Sequence, residues 1–532
     1  MRHGLLPAIL AAVGYALLEL AFFARRNLLL PWEPGDLVAG ALFLLVHGVV
    51  AVGALILSAG LAARFAKRLA ASLPAFAPLA TLVLLHAISH YRERVNSRPR
   101  DLEGSLVTVG IVFLVAAMTI GAAFLLRGSA RRARGIASAL GLVVIGTGIF
   151  RCVTATPVGG ADRVAPRPES DRLAAADTGQ RVLLFGVDGA TWDVLDPLMA
   201  EGRLPNFARL VARGRALRLE TIQPTFSPVI WTSVATGKDR FHHGIHDVVQ
   251  TTIGGVTVPR SMNRTAFLTK SASRFFHLLH RAGFTRLTPY RSTDVGATTV
   301  FEAASEAGLP TSLVEWYVTW PARGLAGVNV TDRFHLQDPT ADPVPGAVWP
   351  DTLGASLLHH IVTAEDVPLD RVLELVDTTG MTPAETRAWA RDHPRFVSEM
   401  RHNLARDLTT RNVATDLLSR DDRWRLFGLY FRAVDVSHHL TWPLRNATGD
   451  PAENPDLRLR PVIARYHELM DRIIGEVLAR VPDDVVIVML SDHGFEDKYA
   501  HVRAPDGFAI LAGPPVGGGG NGEPKGSISV YD

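Results

Sequence analysis

Apolar and polar positions follow one pattern before about residue 153 and another after residue 180 of this 532-residue chain. The first part repeats uncharged apolar runs close to the ~20 residues that cross a bilayer as a helix. Residues 37–63 and 104–126 are uninterrupted, and 135–150 is shorter. Residues 5–23 contain Glu19, and 69–90 contain Pro74, Pro78, His86 and His90. The pattern predicts about five transmembrane helices over residues 1–153. The first is expected to stay as an anchor, because further spans come after it and no small-residue cleavage site does. Its glutamate and the histidines of the other runs lie near run ends, where they can reach the interface or face a neighbouring helix. Residues 154–180 mix Pro, Gly, Arg and Asp without periodicity and read as a linker.

Beyond the linker the period changes. Residues 182–187 form a short apolar run that ends in Asp188-Gly189, the signature of a buried parallel strand with a polar residue at its carboxyl end. Helical patterns succeed it at 192–200 and 205–213, the second opened by Pro205. Residues 426–434 and 485–490 are further buried-strand candidates, each preceded by a long helical segment, 396–418 and 461–479. Strands alternating with helices predict an α/β domain with a mostly parallel sheet, whose ligands bind beyond the carboxyl ends of the strands. The stretch from about 255 to 420 has no comparable polar strand ends and reads as an insertion that shapes a substrate pocket. Residues 517–520 are four glycines, read as a flexible loop.

Charge obeys the same division. Residues 1–153 hold 15 Lys and Arg against 6 Asp and Glu, a net charge of +9, whereas the remainder holds 40 against 46, a net charge of −6. The overall +3 thus averages a basic apolar part and a mildly acidic one, which removes the support for nucleic-acid readout. Lys and Arg divide eight to seven between the two sides of the predicted membrane region, so loop charge does not orient it. The single cysteine, Cys152, permits no internal disulfide and leaves the later domain without a cysteine-derived nucleophile.

Three strand ends carry the candidate chemistry. They supply Asp188, then Asp435 with His438 and His439, then Asp492 with His493, and His501 stands eight residues later. Carboxylates mixed with imidazoles suit zinc or a similar metal. A fourth element is Ser227-Pro228 at the start of a helical pattern. With proline as the first helical residue, Ser227 is expected to cap the helix and sit where free amides favour a phosphate. Beside a metal its hydroxyl could also act as a nucleophile.

Together the segments VLLFGVDGATWDVLDPL, PTFSPVIWTSVATGKDRFHHGI, FRAVDVSHHLTW and VVIVMLSDHGFEDKYAHVRAPDGFAILAGP resemble the type I phosphodiesterase/nucleotide pyrophosphatase branch of the alkaline phosphatase superfamily, across about 181–532. The resemblance implies an alkaline-phosphatase-like α/β catalytic domain with a mostly parallel central sheet flanked by helices, which the apolar runs would join to an N-terminal α-helical transmembrane bundle. It implies two divalent metal ions, commonly zinc, and a covalent phospho-enzyme intermediate. Carried over by position, Asp188, Asp492 and His493 would hold one metal, and Asp435, His439 and His501 the other. Ser227 would be the nucleophile, with Thr225 as the fallback. His438, Lys238 and His243 are candidates for supporting or substrate-side roles, and His242 and His246 for structural ones.

Two positions depart from the pattern. Nucleotide pyrophosphatases place an asparagine three residues after the nucleophile, where this chain has Ile230, and relatives usually continue past Asp532. The C-terminus is therefore expected to be truncated, and the substrate class stays open. The expected activity is that of a membrane-anchored, metal-dependent phosphodiesterase acting on a phosphate ester, with its catalytic domain outside the cytoplasm. The alternatives are a membrane phosphotransferase resembling phosphoethanolamine transferases and a non-catalytic scaffold or sensor. The oligomeric state is open.

Overall fold

In a computed structural model, the described residues are essentially 177–532 without 223–224, 246, 254–255, 259–280, 282–284, 496–503, 515 and 517–525, together with scattered positions before residue 147. Most of the five apolar runs, and the linker up to residue 176, lie outside the described residues. No helix among the described residues is long and apolar enough to cross a membrane.

The chain divides into two compact units, residues 1–161 with 249–289, and residues 162–248 with 290–532. In the first, β3 (Val249–Ile253) pairs antiparallel with both β4 (Val256–Val258) and β5 (Thr285–Pro289).

The second unit is built on a nine-stranded sheet of order β12-β2-β11-β10-β1-β9-β6-β7-β8. Its centre is β1 (Val182–Val187), flanked in parallel by β10 (Val486–Leu490) and β9 (Leu426–Phe431). These three strands are the apolar runs of the sequence. Leu183, Phe185 and Val187 project into one core and Leu184 into another, which is why the run does not alternate. On the β9 side lie β6 (Thr311–Val314) and β7 (Asn329–Val330), both parallel, then β8 (Val348–Trp349), antiparallel. On the β10 side, β11 (Gly507–Ala512) runs antiparallel to both β10 and β2 (Gly214–Glu220), so β2 and its parallel partner β12 (Ser527–Ser529) share the direction of β1. The sheet is thus mostly parallel, as expected.

The stretch expected to be one insertion is divided. Val249–Pro289 separates with the first unit, whereas β6, β7 and β8 extend the central sheet. Short strands of two to four residues carry too little periodicity to be seen in the sequence.

Helices fill both faces. The amphipathic α1 (Trp192–Ala200) and α2 (Pro205–Ala212) come directly after β1. Next is α3 (Ser227–Thr236), buried almost all round and ended by Gly237 in the left-handed conformation. Of the later helices, α4 (Val300–Glu306) carries a Thr299/Glu302 capping box, and α5 (Pro394–Arg420), α6 (Ala433–Thr441) and α7 (Val462–Leu478) pack together behind β9. The register pairs Val187 with Phe431 and Gly186 with Leu490. The carboxyl ends of β1, β9 and β10 therefore finish level, and the residues just past the three strands meet at one edge of the sheet.

Candidate active site

Three strand ends deliver the acidic groups. Asp188 comes immediately after β1, and its amide donates to Phe431 O at 2.9 Å. Gly189 then turns with φ +70, and a Cβ there would lie 2.7 Å from Asp435 Cβ, so only glycine allows this approach. Asp435 stands in the first turn of α6, directly beyond β9. Asp492 and His493 lie just past β10, and Asp492 Oδ1 accepts the Gly189 amide at 3.2 Å.

The side chains converge. One ligand atom each from Asp188, Asp435 and His493 lies within 4.8 Å of the other two, and all three residues are buried. His493 Nε2 stands 3.5 Å from Asp188 Oδ1 and 3.4 Å from Asp492 Oδ2. Ser227 Oγ completes the group, donating to Asp188 Oδ1 at 3.3 Å and lying 3.4 Å from His493 Nε2. Burial pushes the Asp188 carboxyl up, reinforced by the Asp435 charge and opposed by His493 and Tyr430. Burial also pushes Asp492 well up, with the Asp188 and Asp435 charges adding to it. Three carboxylates cannot all ionise in so small a dry space without a cation. Asp492 Oδ2 is buried without a hydrogen bond among the described residues. This donor set fits a divalent metal of the zinc type.

The nucleophile candidate differs from expectation by one position. Phe226 occupies the N-cap and Ser227 is already helical, so its hydroxyl reaches across to Asp188 and His493 and does not cap its own helix. The expected phosphate cradle is correspondingly reduced. Val229 and Ile230 both donate their amides to Phe226 O and Pro228 has none, which leaves the Ser227 amide in the first turn. The Thr225 hydroxyl, also buried, accepts from the Ala504 amide at 3.4 Å.

Other predicted residues separate. His439 Nε2 lies 3.4 Å from Asp435 Oδ2, consistent with a shared centre, whereas His501 lies outside the described residues. His438 turns into the interior, stacking on His467 with ring centroids 5.3 Å apart and packing against Trp442 and Phe495. Burial pushes it far below the ordinary histidine range, so it serves as a neutral core residue. His243 is likewise structural. Its Nδ1 accepts the Ile245 amide at 3.1 Å, so Nε2 carries the hydrogen toward Ser233 Oγ at 3.0 Å, and burial holds its pKa at about 3. Lys238 is exposed past the C-terminus of α3, about 15 Å of helix from Ser227.

Sequence reasoning missed two groups. Tyr430, inside the apolar β9 run, donates its hydroxyl to Asp188 Oδ2. Burial and the Asp188 charge raise its pKa well above the usual tyrosine value, so it remains a donor. Arg432, one residue past β9, has Tyr317, Tyr430, Asp188 and Asp435 as its electrostatic neighbours. A lone hydroxyl in an otherwise apolar parallel strand and an arginine between that strand and the Asp-x-x-x-His helix were the available signals.

Among solved structures, the chain is similar to phosphonoacetate hydrolase from Sinorhizobium meliloti 1021, with 17% identity and a TM-score of 0.32 over 59% of this chain and 56% of that one. It is similar to murine ectonucleotide pyrophosphatase/phosphodiesterase 5, with 14% identity and a TM-score of 0.30 over 59% and 57%. A third similarity is to a protein from Pyrococcus horikoshii, with 13% identity and a TM-score of 0.34 over 66% and 94%. The chain thus spans little more than half the length of the first two. No curated protein matches it. The type I phosphodiesterase/nucleotide pyrophosphatase family matches residues 182–506, more than half of the chain and all three strand ends, and the chain belongs to that family.

Proposed function

We propose that the protein is a membrane-anchored, metal-dependent phosphodiesterase whose nucleophile is Ser227. The observation that carries this reading is the Ser227 hydroxyl within 3.3–3.4 Å of both Asp188 and His493, where three strand ends meet. Asp188, Asp492 and His493 would hold one divalent cation, and Asp435, His439 and His501 a second. Bound there, two such cations, zinc by the donor chemistry, would lower the proton affinity of a hydroxyl and neutralise charge on phosphoryl oxygens.

The residues of the chain do the rest. Ser227 Oγ attacks phosphorus in line with the leaving oxygen, and its proton passes to solvent. The new Ser227–phosphorus bond forms as the ester bond opposite breaks, and the alkoxide product takes a proton from water. Water then attacks phosphorus and restores the serine. Ile230 is buried in the core and cannot donate to a phosphoryl oxygen. The Ser227 amide and the Arg432 guanidinium are left to meet that charge.

Anchoring by residues 1–153 belongs to the same proposal and rests on the apolar runs; five spans with the N-terminus inside would place the catalytic unit outside the cytoplasm. Ser227→Ala is expected to abolish turnover of bis-p-nitrophenyl phosphate while zinc content stays that of the wild type. Full turnover in that variant would remove Ser227 from the mechanism. Transfer of the phosphoryl group to an added acceptor lipid, in place of water, would convert the assignment to a phosphotransferase.

A further inference from the structure

The Tyr430 hydroxyl on β9 and the Asp188 carboxylate just past the neighbouring β1 are both buried, and the tyrosine engages Oδ2. The other oxygen, Oδ1, faces Ser227 Oγ and His493 Nε2 at 3.3 and 3.5 Å. A carboxylate that can rotate offers either oxygen to a cation. This one has its rotation stopped from one side.

The tyrosine is itself immobilised. Its ring makes edge contacts with Trp231 at 5.0 Å and Trp316 at 6.4 Å, and a tilted contact with Tyr317 at 5.2 Å. The Arg406 guanidinium lies 5.8 Å from the ring centroid, and its Nε is 3.3 Å from Glu315 Oε2. Glu315 in turn accepts from His335, at the backbone amide (3.1 Å) and at Nδ1 (2.8 Å). Glu315 adopts φ 57, an uncommon conformation for a residue with a side chain, and Val318 shares it at φ 60. The carboxylate of Asp332 holds this turn by accepting the amides of Val318, Thr319 and Trp320. Backbone strain of this kind persists where the surroundings impose it, often beside a functional site. Here it fixes the base of a chain of contacts that ends on Asp188.

We propose that Tyr430 is a positioning residue that ties down Asp188 Oδ2 so that Oδ1 is presented to the metal shared with His493 and Ser227. The inference rests on the reading of Asp188 as a metal ligand. Hydrogen-bond partners of ligating carboxylates typically change metal affinity about 10–100-fold when removed.

The test uses the full chain in detergent and reads zinc affinity by competition with a chromophoric chelator, without reference to turnover. Tyr430→Phe keeps the ring and its packing and removes only the donor, and circular dichroism checks that it folds. The expected result is a loss of zinc affinity of about 10–100-fold. In an Asp188→Asn background, whose own affinity is already reduced, the same Tyr430→Phe change should cost less than about twofold, because the two residues act through one contact. An equal loss in both backgrounds would mean a general packing defect and overturn the proposal. So would wild-type affinity in Tyr430→Phe when Asp188→Asn is impaired, which leaves the metal site standing. Wild-type affinity in Asp188→Asn would overturn both the ligand reading and the inference.

Discussion

Asp407 offers a test of the fold that runs against the usual expectation for a carboxylate. It lies on α5 at 1% exposure, and its Oδ2 accepts the Tyr466 hydroxyl of α7 at 3.1 Å. Burial pushes its pKa up to about 7, against the opposing pull of Arg406, the Tyr466 hydroxyl and the amides of Arg432 and Ala433. The unfolded chain releases this proton near the ordinary value of 3.8, so between about pH 4 and pH 7 the folded state holds more protons than the unfolded one. Stability therefore falls as pH rises through that window. At about 1.36 kcal/mol per pH unit the penalty grows to about 4 kcal/mol above pH ~7 and vanishes below pH ~4. Asp407→Asn cannot ionise and keeps an oxygen for Tyr466. It should match the wild type near pH 4 and exceed its stability by up to about 4 kcal/mol at about pH 8. Urea unfolding of both proteins, monitored by circular dichroism at several pH values, isolates this residue because contributions from other groups cancel in the difference. A difference that does not change with pH, or a variant less stable than wild type at neutral pH, would refute the reasoning.

The site itself yields three more expected outcomes. Removing metal with a chelator should abolish turnover and lower the melting temperature, since Asp188, Asp435 and Asp492 then crowd without a cation, and zinc at ~100 times its Kd should return about 2.7 kcal/mol. Arg432→Ala, which removes the cation beside Asp188 and Asp435, should lower kcat/KM for bis-p-nitrophenyl phosphate by about 10²-fold at unchanged metal content under the proposed role for its guanidinium. Lys238→Ala should stay within about twofold of wild-type turnover, because surface substitutions away from packed features change little; a large loss would return Lys238 to the site.

How much the sequence disclosed depended on how strongly each feature is written in local pattern. The apolar runs of β1, β9 and β10 cannot be solvent-facing, and the polar residue that closes each one had to emerge at a sheet edge. Asp188, Asp435, Asp492 and His493 were legible for that reason. Ser227 was legible through Pro228, with the helix start misplaced by one residue because a proline is accommodated at either of the first positions. His438 and His243 looked like site residues because adjacent histidines carry no signal of which faces inward, and burial decides that only after the helices pack. Lys238 sits in a suggestive segment, but helix length carries it away from the serine. Tyr430, Arg406 and Glu315 belong to a network that joins residues more than 80 positions apart, for which no local period exists. The short strands β6–β8 were missed for want of length.

The central claim is that Ser227 Oγ is the atom that meets phosphorus. Incubating the full chain with zinc and bis-p-nitrophenyl phosphate, quenching in acid and mapping the peptides by mass spectrometry tests it directly. The account predicts a nitrophenyl-phosphoryl adduct on Ser227 that disappears in Ser227→Ala together with turnover. An adduct on Thr225, or undiminished turnover by Ser227→Ala, would contradict it.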